Sequence, residues 1–155
     1  MKGNDRMLEK LNDLLADELT AINQYSVQAE MCDNWGYKKL HEAIEKQALD
    51  EMRHAEWLIA RMLFLEGSPT VSHLKQINIG ADVPAFLRNN HGLETSAVRS
   101  YNDGIRLANE VKDAGTRELL QGILETEEGH VDWIEADLEQ IQQMGLPLYL
   151  TEKIS

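Results

Sequence analysis

The stretch LDEMRHAEW, residues 49–57, lies in a segment of helical spacing and puts charge where an apolar stripe should run. Leu40, Ile44, Gln47, Glu51, His54, Leu58, Met62 and Leu65 fall three or four apart, the spacing of a single helix face. Glu51 and His54 thus take positions meant for the core. A second stretch, ETEEGHVDW at residues 125–133, does the same with Glu127 and His130 between Ile123 and Ile134. A buried carboxylate is costly unless something compensates it. One Glu-x-x-His recurs by accident in Glu-rich helices and would then be a solvated pair. Two of them in core register need another account.

Working outward, glycine and proline divide the chain into four long segments. The first runs from about Asn4 to Trp35, the second from about Tyr37 to Glu66, with Gly36 and Gly67 as stops. Residues 68–81 hold no sustained period and read as a crossover. Asp82 is placed to cap a third segment, with Pro84 in its first turn, that ends near residues 113–115. The fourth ends at Met144 before Gly145, and LPLYLTEKIS forms a short fifth helix. Each main segment spans roughly 28 residues, about 42 Å of helix. Short links within each pair and a long one between pairs predict an all-α fold. The architecture is a ferritin-like four-helix bundle with one crossover, a single domain over residues 1–155.

The first and third segments add two more carboxylates. Leu8, Leu11, Leu15, Glu18, Ile22, Tyr25 and Ala29 share one face; Leu87, Asn90, Glu94, Ala97, Tyr101 and Ala108 share another. A shift of 76 residues carries Glu18 to Glu94, Tyr25 to Tyr101, Glu51 to Glu127, His54 to His130 and Trp57 to Trp133. Five coincidences in one register predict a pseudo-two-fold axis relating the two hairpins. Four carboxylates and two neutral imidazoles balance two divalent cations. Glu from two helices and Glu-x-x-His from the other two is a dinuclear carboxylate pattern, and oxygen-rich donors with two imidazoles suit iron or manganese over zinc. Glu18, Glu51 and His54 are expected around one metal and Glu94, Glu127 and His130 around the other, with Glu51 and Glu127 placed to bridge. Tyr25 and Tyr101 are either core filling or orient a nearby carboxylate. Trp57 and Trp133 read as packing or interface residues, and His91, His41 and His73 as histidines without metal-ligand company.

Composition bounds the rest. The chain of 155 residues carries a net charge of −12, which argues against nucleic-acid binding. No apolar run is long enough to span a membrane, the N-terminus MKGNDRMLEK lacks a signal-like apolar core, and Cys32 is single. The expectation is a cytoplasmic protein.

The sequence resembles the bacterioferritins over nearly its whole length. The likeness rests on MKG, NDLLADELTAINQY, LDEMRHAE, RMLFLEG, INIGADV, ETEEGHVDW and IQQMGLPLYL. It implies that Glu18, Glu51, His54, Glu94, Glu127 and His130 bind two iron ions per subunit and oxidise Fe(II) with O2 or H2O2. It further implies a hollow homo-oligomer of 24 subunits that stores ferric mineral. Met52 would ligate a haem b or related iron porphyrin shared between two subunits, and a small ferredoxin would supply electrons for iron release. Two departures stand out. Some members carry a histidine at the position of Lys46, beside Asp50, and many carry aromatics at the positions of Ser26 and Glu45. Rival readings are a di-iron or di-manganese peroxidase or catalase without storage, and a haem-carrying electron-transfer bundle.

Overall fold

In the computed structural model, which describes residues 1–155, the chain forms five helices and no strand. They are α1 (Asp5–Asn34), α2 (Lys38–Phe64), α3 (Val83–Glu110), α4 (Ala114–Met144) and α5 (Leu146–Thr151). The caps explain the starts. The side chain of Asn4 accepts from the Met7 N–H, Asp82 from the Ala85 N–H and Asp113 from the Thr116 N–H. Gly36 turns the chain between α1 and α2 at φ 83°, a left-handed value that glycine adopts without strain.

The hairpins α1–α2 and α3–α4 pack side by side, with α1 against α3 and α2 against α4. Two apolar clusters fill the ends of the bundle. One includes Leu11, Leu15, Leu58, Met62, Leu120 and Ile123; the other includes Tyr25, Leu40, Ile44, Phe86, Leu87 and Ile134. The polar positions of the four stripes lie between them, so dry core closes the site above and below. α5 docks on the second cluster through buried Tyr149, whose hydroxyl donates to the carboxylate of Asp137. The Lys153 Nζ sits 3.3 Å from that same carboxylate.

Gly115 corrects one expectation. It lies in the first turn of α4, and the link between α3 and α4 is Val111–Asp113 instead. Its role is close approach: a Cβ there would come within 2.6 Å of the Arg61 guanidinium. That guanidinium holds Asp113 at 2.8 Å and Thr116 at 2.9 Å. Leu8, Ile22, Ala97, Leu138 and Ile141 are only half-buried, whereas Leu14, Thr20, Gln24 and Gln28 are buried. For Thr20, Gln24 and Gln28 the cause is the crossover segment, which covers a further flank of α1, whereas Leu14 lies against Gly104 of α3. Thr20 Oγ1 accepts from the Lys75 N–H, Gln24 Oε1 from the Asn78 N–H, and Gln28 Nε2 donates to the Ile79 carbonyl. Asn90 of α3 joins Gln24 and Gln28 at 2.7 and 2.8 Å. Asn90→Leu would leave Gln24 Nε2 and Gln28 Oε1 unpaired in the interior, while their other amide atoms keep their crossover partners, so a fall of about 2–4 kcal/mol in unfolding free energy is expected. Denaturant titration checks it, and a change below about 0.5 kcal/mol, the ordinary surface range, would contradict the role.

Candidate metal centre

Glu18 on α1, Glu51 and His54 on α2, Glu94 on α3, and Glu127 and His130 on α4 all converge, each at most 6% exposed. Glu18, Glu51, His54 and Glu127 offer one ligand atom apiece within 4.8 Å of one another, and so do Glu51, Glu94, Glu127 and His130. Glu51 and Glu127 belong to both sets. The six residues singled out in the sequence thus meet in two overlapping groups of four.

The polar atoms face a common centre more than they face each other. His54 Nδ1 lies 2.8 Å from Glu127 Oε1 and 3.5 Å from Glu18 Oε1. Even so, the short contact is off the hydrogen-bonding direction, and neither His54 Nδ1 nor Glu127 Oε1 has a hydrogen-bond partner. Glu18 Oε2, Glu94 Oε2 and Glu127 Oε2 are likewise buried without one. On the other side, His130 Nδ1 stands 3.1 Å from Glu51 and 3.2 Å from Glu94. Buried polar atoms are nearly always paired. Unpaired carboxylate oxygens and the unpaired Nδ1 of His54, gathered at one point with His130 Nδ1 facing Glu51 and Glu94, form an oxygen-rich donor set that fits divalent iron or manganese.

The tyrosines cross over. Tyr25 Oη donates to Glu94 Oε1 at 2.5 Å, and Tyr101 Oη donates to Glu18 Oε1 at 2.5 Å. Each tyrosine therefore orients the carboxylate of the opposite hairpin, where the sequence placed it on its own glutamate's face. Each glutamate keeps its other oxygen, Oε2, free. Burial first, then the neighbouring carboxylate, holds both phenols well above their usual range, so they remain donors.

Asp50 was not among the predicted site residues. Its Oδ2 lies 3.0 Å from His130 Nε2 and 3.2 Å from Lys46 Nζ. A carboxylate accepts only, so Nε2 carries the proton and Nδ1 is turned to the centre. The signal was there, since position 50 is four before His54 and adjoins Glu51, yet it lies off the core stripe. His41 also differs from expectation: half-buried itself, it gathers the exposed Glu30 and Glu45 into a loose trio, while His91 pairs with Glu135 at 2.9 Å. Met52 is 44% exposed and Trp57 48% exposed, both off the centre's face, whereas Trp133 is half-buried.

Charge in the cluster is divided unevenly. Burial, then repulsion from neighbouring carboxylates, holds Glu18, Glu51 and Glu94 well above the usual carboxylate range. Burial pushes Glu127 the same way but is outweighed by its close neighbours Glu94, His130 and His54, the two imidazoles bringing positive charge, so it is lowered. Burial opposes protonation of both histidines and loses to those carboxylates. His54 is pushed up to about 9 and His130 is raised further.

These shifts fix a pH dependence. A histidine raised from 6.5 to about 9 adds stability that is full below 6.5 and gone above 9. The raised glutamates act in the same sense, because folding resists their ionisation. The lowered Glu127 acts oppositely, its contribution being lost only as pH falls below 4.5. The chelator-treated protein should therefore lose about 3 kcal/mol between pH 6.5 and 9 from His54 alone. A saturating divalent cation should flatten that slope, since binding expels the same protons. Melting curves at the two pH values decide it, and a metal-free midpoint that rises with pH would refute the assignment.

Bundles of this connectivity, with donor side chains turned inward from all four helices, form the ferritin-like class. The ferritin-like domain profile matches residues 8–144 of this chain. A bacterioferritin of Mycolicibacterium paratuberculosis is 36% identical over 155 residues, covering 100% of this chain and 98% of its own. A bacterial ferritin of Paramagnetospirillum magnetotacticum is 38% identical over 97% of this chain and 93% of its own. One from Synechocystis is 36% identical over the full length of both. The chain belongs to the bacterioferritin family. No helix is long and apolar enough to cross a membrane.

Proposed function

We propose that this protein is an iron-storage ferroxidase. Glu18, Glu51, His54, Glu94, Glu127 and His130 would receive two Fe(II) ions, and the ferric product would be stored inside a cytoplasmic homo-oligomeric shell of 24 subunits. The observation that carries the reading is the pair of four-donor sets sharing Glu51 and Glu127. Sharing two carboxylates brings the ions close enough to give up electrons to one oxidant together. Each Fe(II) yields one electron. O2 with two electrons and two protons leaves as H2O2, and H2O2 with two electrons and two protons leaves as two waters.

The chain's own groups set the stage for this. Glu51 and Glu127 join the two halves of the centre. Tyr25 and Tyr101 lock Glu94 and Glu18 in place, and Asp50, by accepting from His130 Nε2, keeps Nδ1 directed at the centre. The centre opens between α2 and α4 into a cleft of about 430 Å³ lined by Lys46, Asp50, His130 and Trp133, which would be the exit for oxidised iron.

Met52 would hold a haem. Its thioether is exposed beside exposed Leu49, an apolar outer face that suits a porphyrin shared across a two-fold contact. The haem would relay electrons from a small ferredoxin for reductive release. Anaerobic addition of Fe(II) followed by O2 tests the whole, with size measurement alongside. Expected is a large assembly that accumulates ferric mineral; a monomer or dimer holding none would overturn the storage reading.

A further inference from the structure

The face between α1 and α3 carries a second, narrower opening of about 10 Å³. Asp17, Glu18, Glu51 and Glu94 line it, with Leu93 and Ala97 as its apolar walls. The unpartnered Oε2 atoms belong to Glu18 and Glu94, each no more than 2% exposed. Asp17 is the outermost acid of the passage, with its side chain 13% exposed. A cation already sits on it: Lys75 Nζ lies 2.5 Å from Asp17 and 3.0 Å from Asp13, which is one helical turn away and 46% exposed.

We infer that Asp13 and Asp17 form an outer receiving site for divalent cations, and that the Lys75 ammonium is its displaceable plug. The inference rests on the metal-centre reading above and adds the route by which the cation arrives. Both carboxylates face one ammonium, so an incoming ion of charge +2 gains more from the pair than the ammonium does. From Asp17 the next donors inward are Glu18 and Glu94. The plug can move without moving the chain. The Lys75 N–H is tied to Thr20 Oγ1 at 2.8 Å and Asn78 to Gln24, so the crossover backbone stays in place while the side chain swings away. Lys75 is half-buried and held only by its two ion pairs, so the plug slows entry by occupying the acids and repelling cations rather than by a slow opening of the backbone.

The test is uptake of Co(II), which binds without being oxidised, followed by stopped-flow absorbance on the full-length protein at low salt, with bound metal counted by equilibrium dialysis. Lys75→Met should speed uptake about threefold and Asp17→Asn should slow it about tenfold, both with the final stoichiometry unchanged. Both effects should shrink near 0.15 M salt, where the Debye length is about 8 Å. Lys75→Arg, which keeps the charge, should stay near the wild-type rate and guards against misfolding of the methionine variant. Lys38→Met makes the same change in net charge elsewhere and should leave the rate alone. Unchanged rates in both Lys75→Met and Asp17→Asn would overturn the plug, and so would slower uptake in Lys75→Met. A wild-type protein that binds no Co(II) would overturn the metal-centre reading itself, a result distinct from normal binding at a rate indifferent to these residues.

Discussion

Glu51→Gln and Glu127→Gln should both lower Fe(II) oxidation by at least about 100-fold, yet move the stability of the cation-free protein in opposite directions. Each removes a carboxylate common to the two donor sets, so neither set can close around its cation. Their electrostatic situations differ. Glu51 is held above its usual range by burial and then by Glu127 and Glu94, so its ionisation opposes folding. An amide of the same shape removes that opposition, and at pH 8 a gain of about 1–2 kcal/mol is expected. Glu127 is the anion on which both imidazoles rely, with His54 at 2.8 Å and His130 at 3.7 Å. Its loss strands buried positive charge, for which about 3–5 kcal/mol is typical. At roughly 2–4 °C per kcal/mol, the two variants should melt well apart on either side of the wild type. Shifts of the same sign would sink this division of charge.

Met52→Leu should abolish the haem absorption bands while leaving Fe(II) oxidation within about twofold of wild type. One residue on a helix turns by about 100°, so Met52 cannot face the centre that Glu51 faces. The structure leaves it 44% exposed on the outer wall. Two thioethers, one from each subunit, would favour the ferrous state and raise the reduction potential, as an electron relay requires. Leucine keeps the apolar volume of the contact, so loss of haem without loss of assembly isolates ligation from packing. Retention of full haem in this variant would defeat the assignment, and loss of the assembly would show Met52 to be a packing residue of the contact.

Much of this was legible in one dimension. The three-and-four spacing placed Glu18, Glu51, His54, Glu94, Glu127 and His130 on inward faces, and the internal repeat tied the two halves into one register. Helix period and repeat are local properties, and they bound which side of each helix is buried whatever lies opposite. The partner across the gap is another matter. Tyr25 shares a face with Glu18 but bonds Glu94, because the reach of a phenol and the stagger of α1 on α3 decide which carboxylate it meets. Asp50 lies off the apolar stripe and becomes part of the site only because α4 brings His130 beside it. Thr20, Gln24 and Gln28 had no reason to be inside until residues of the crossover lay down on them. Lys75 and Asp17 are 58 residues apart and meet for the same reason. A period of 3.6 residues fixes an angle around one axis; the distances between axes, and every pairing that depends on them, arise only when the helices and their long connection pack together.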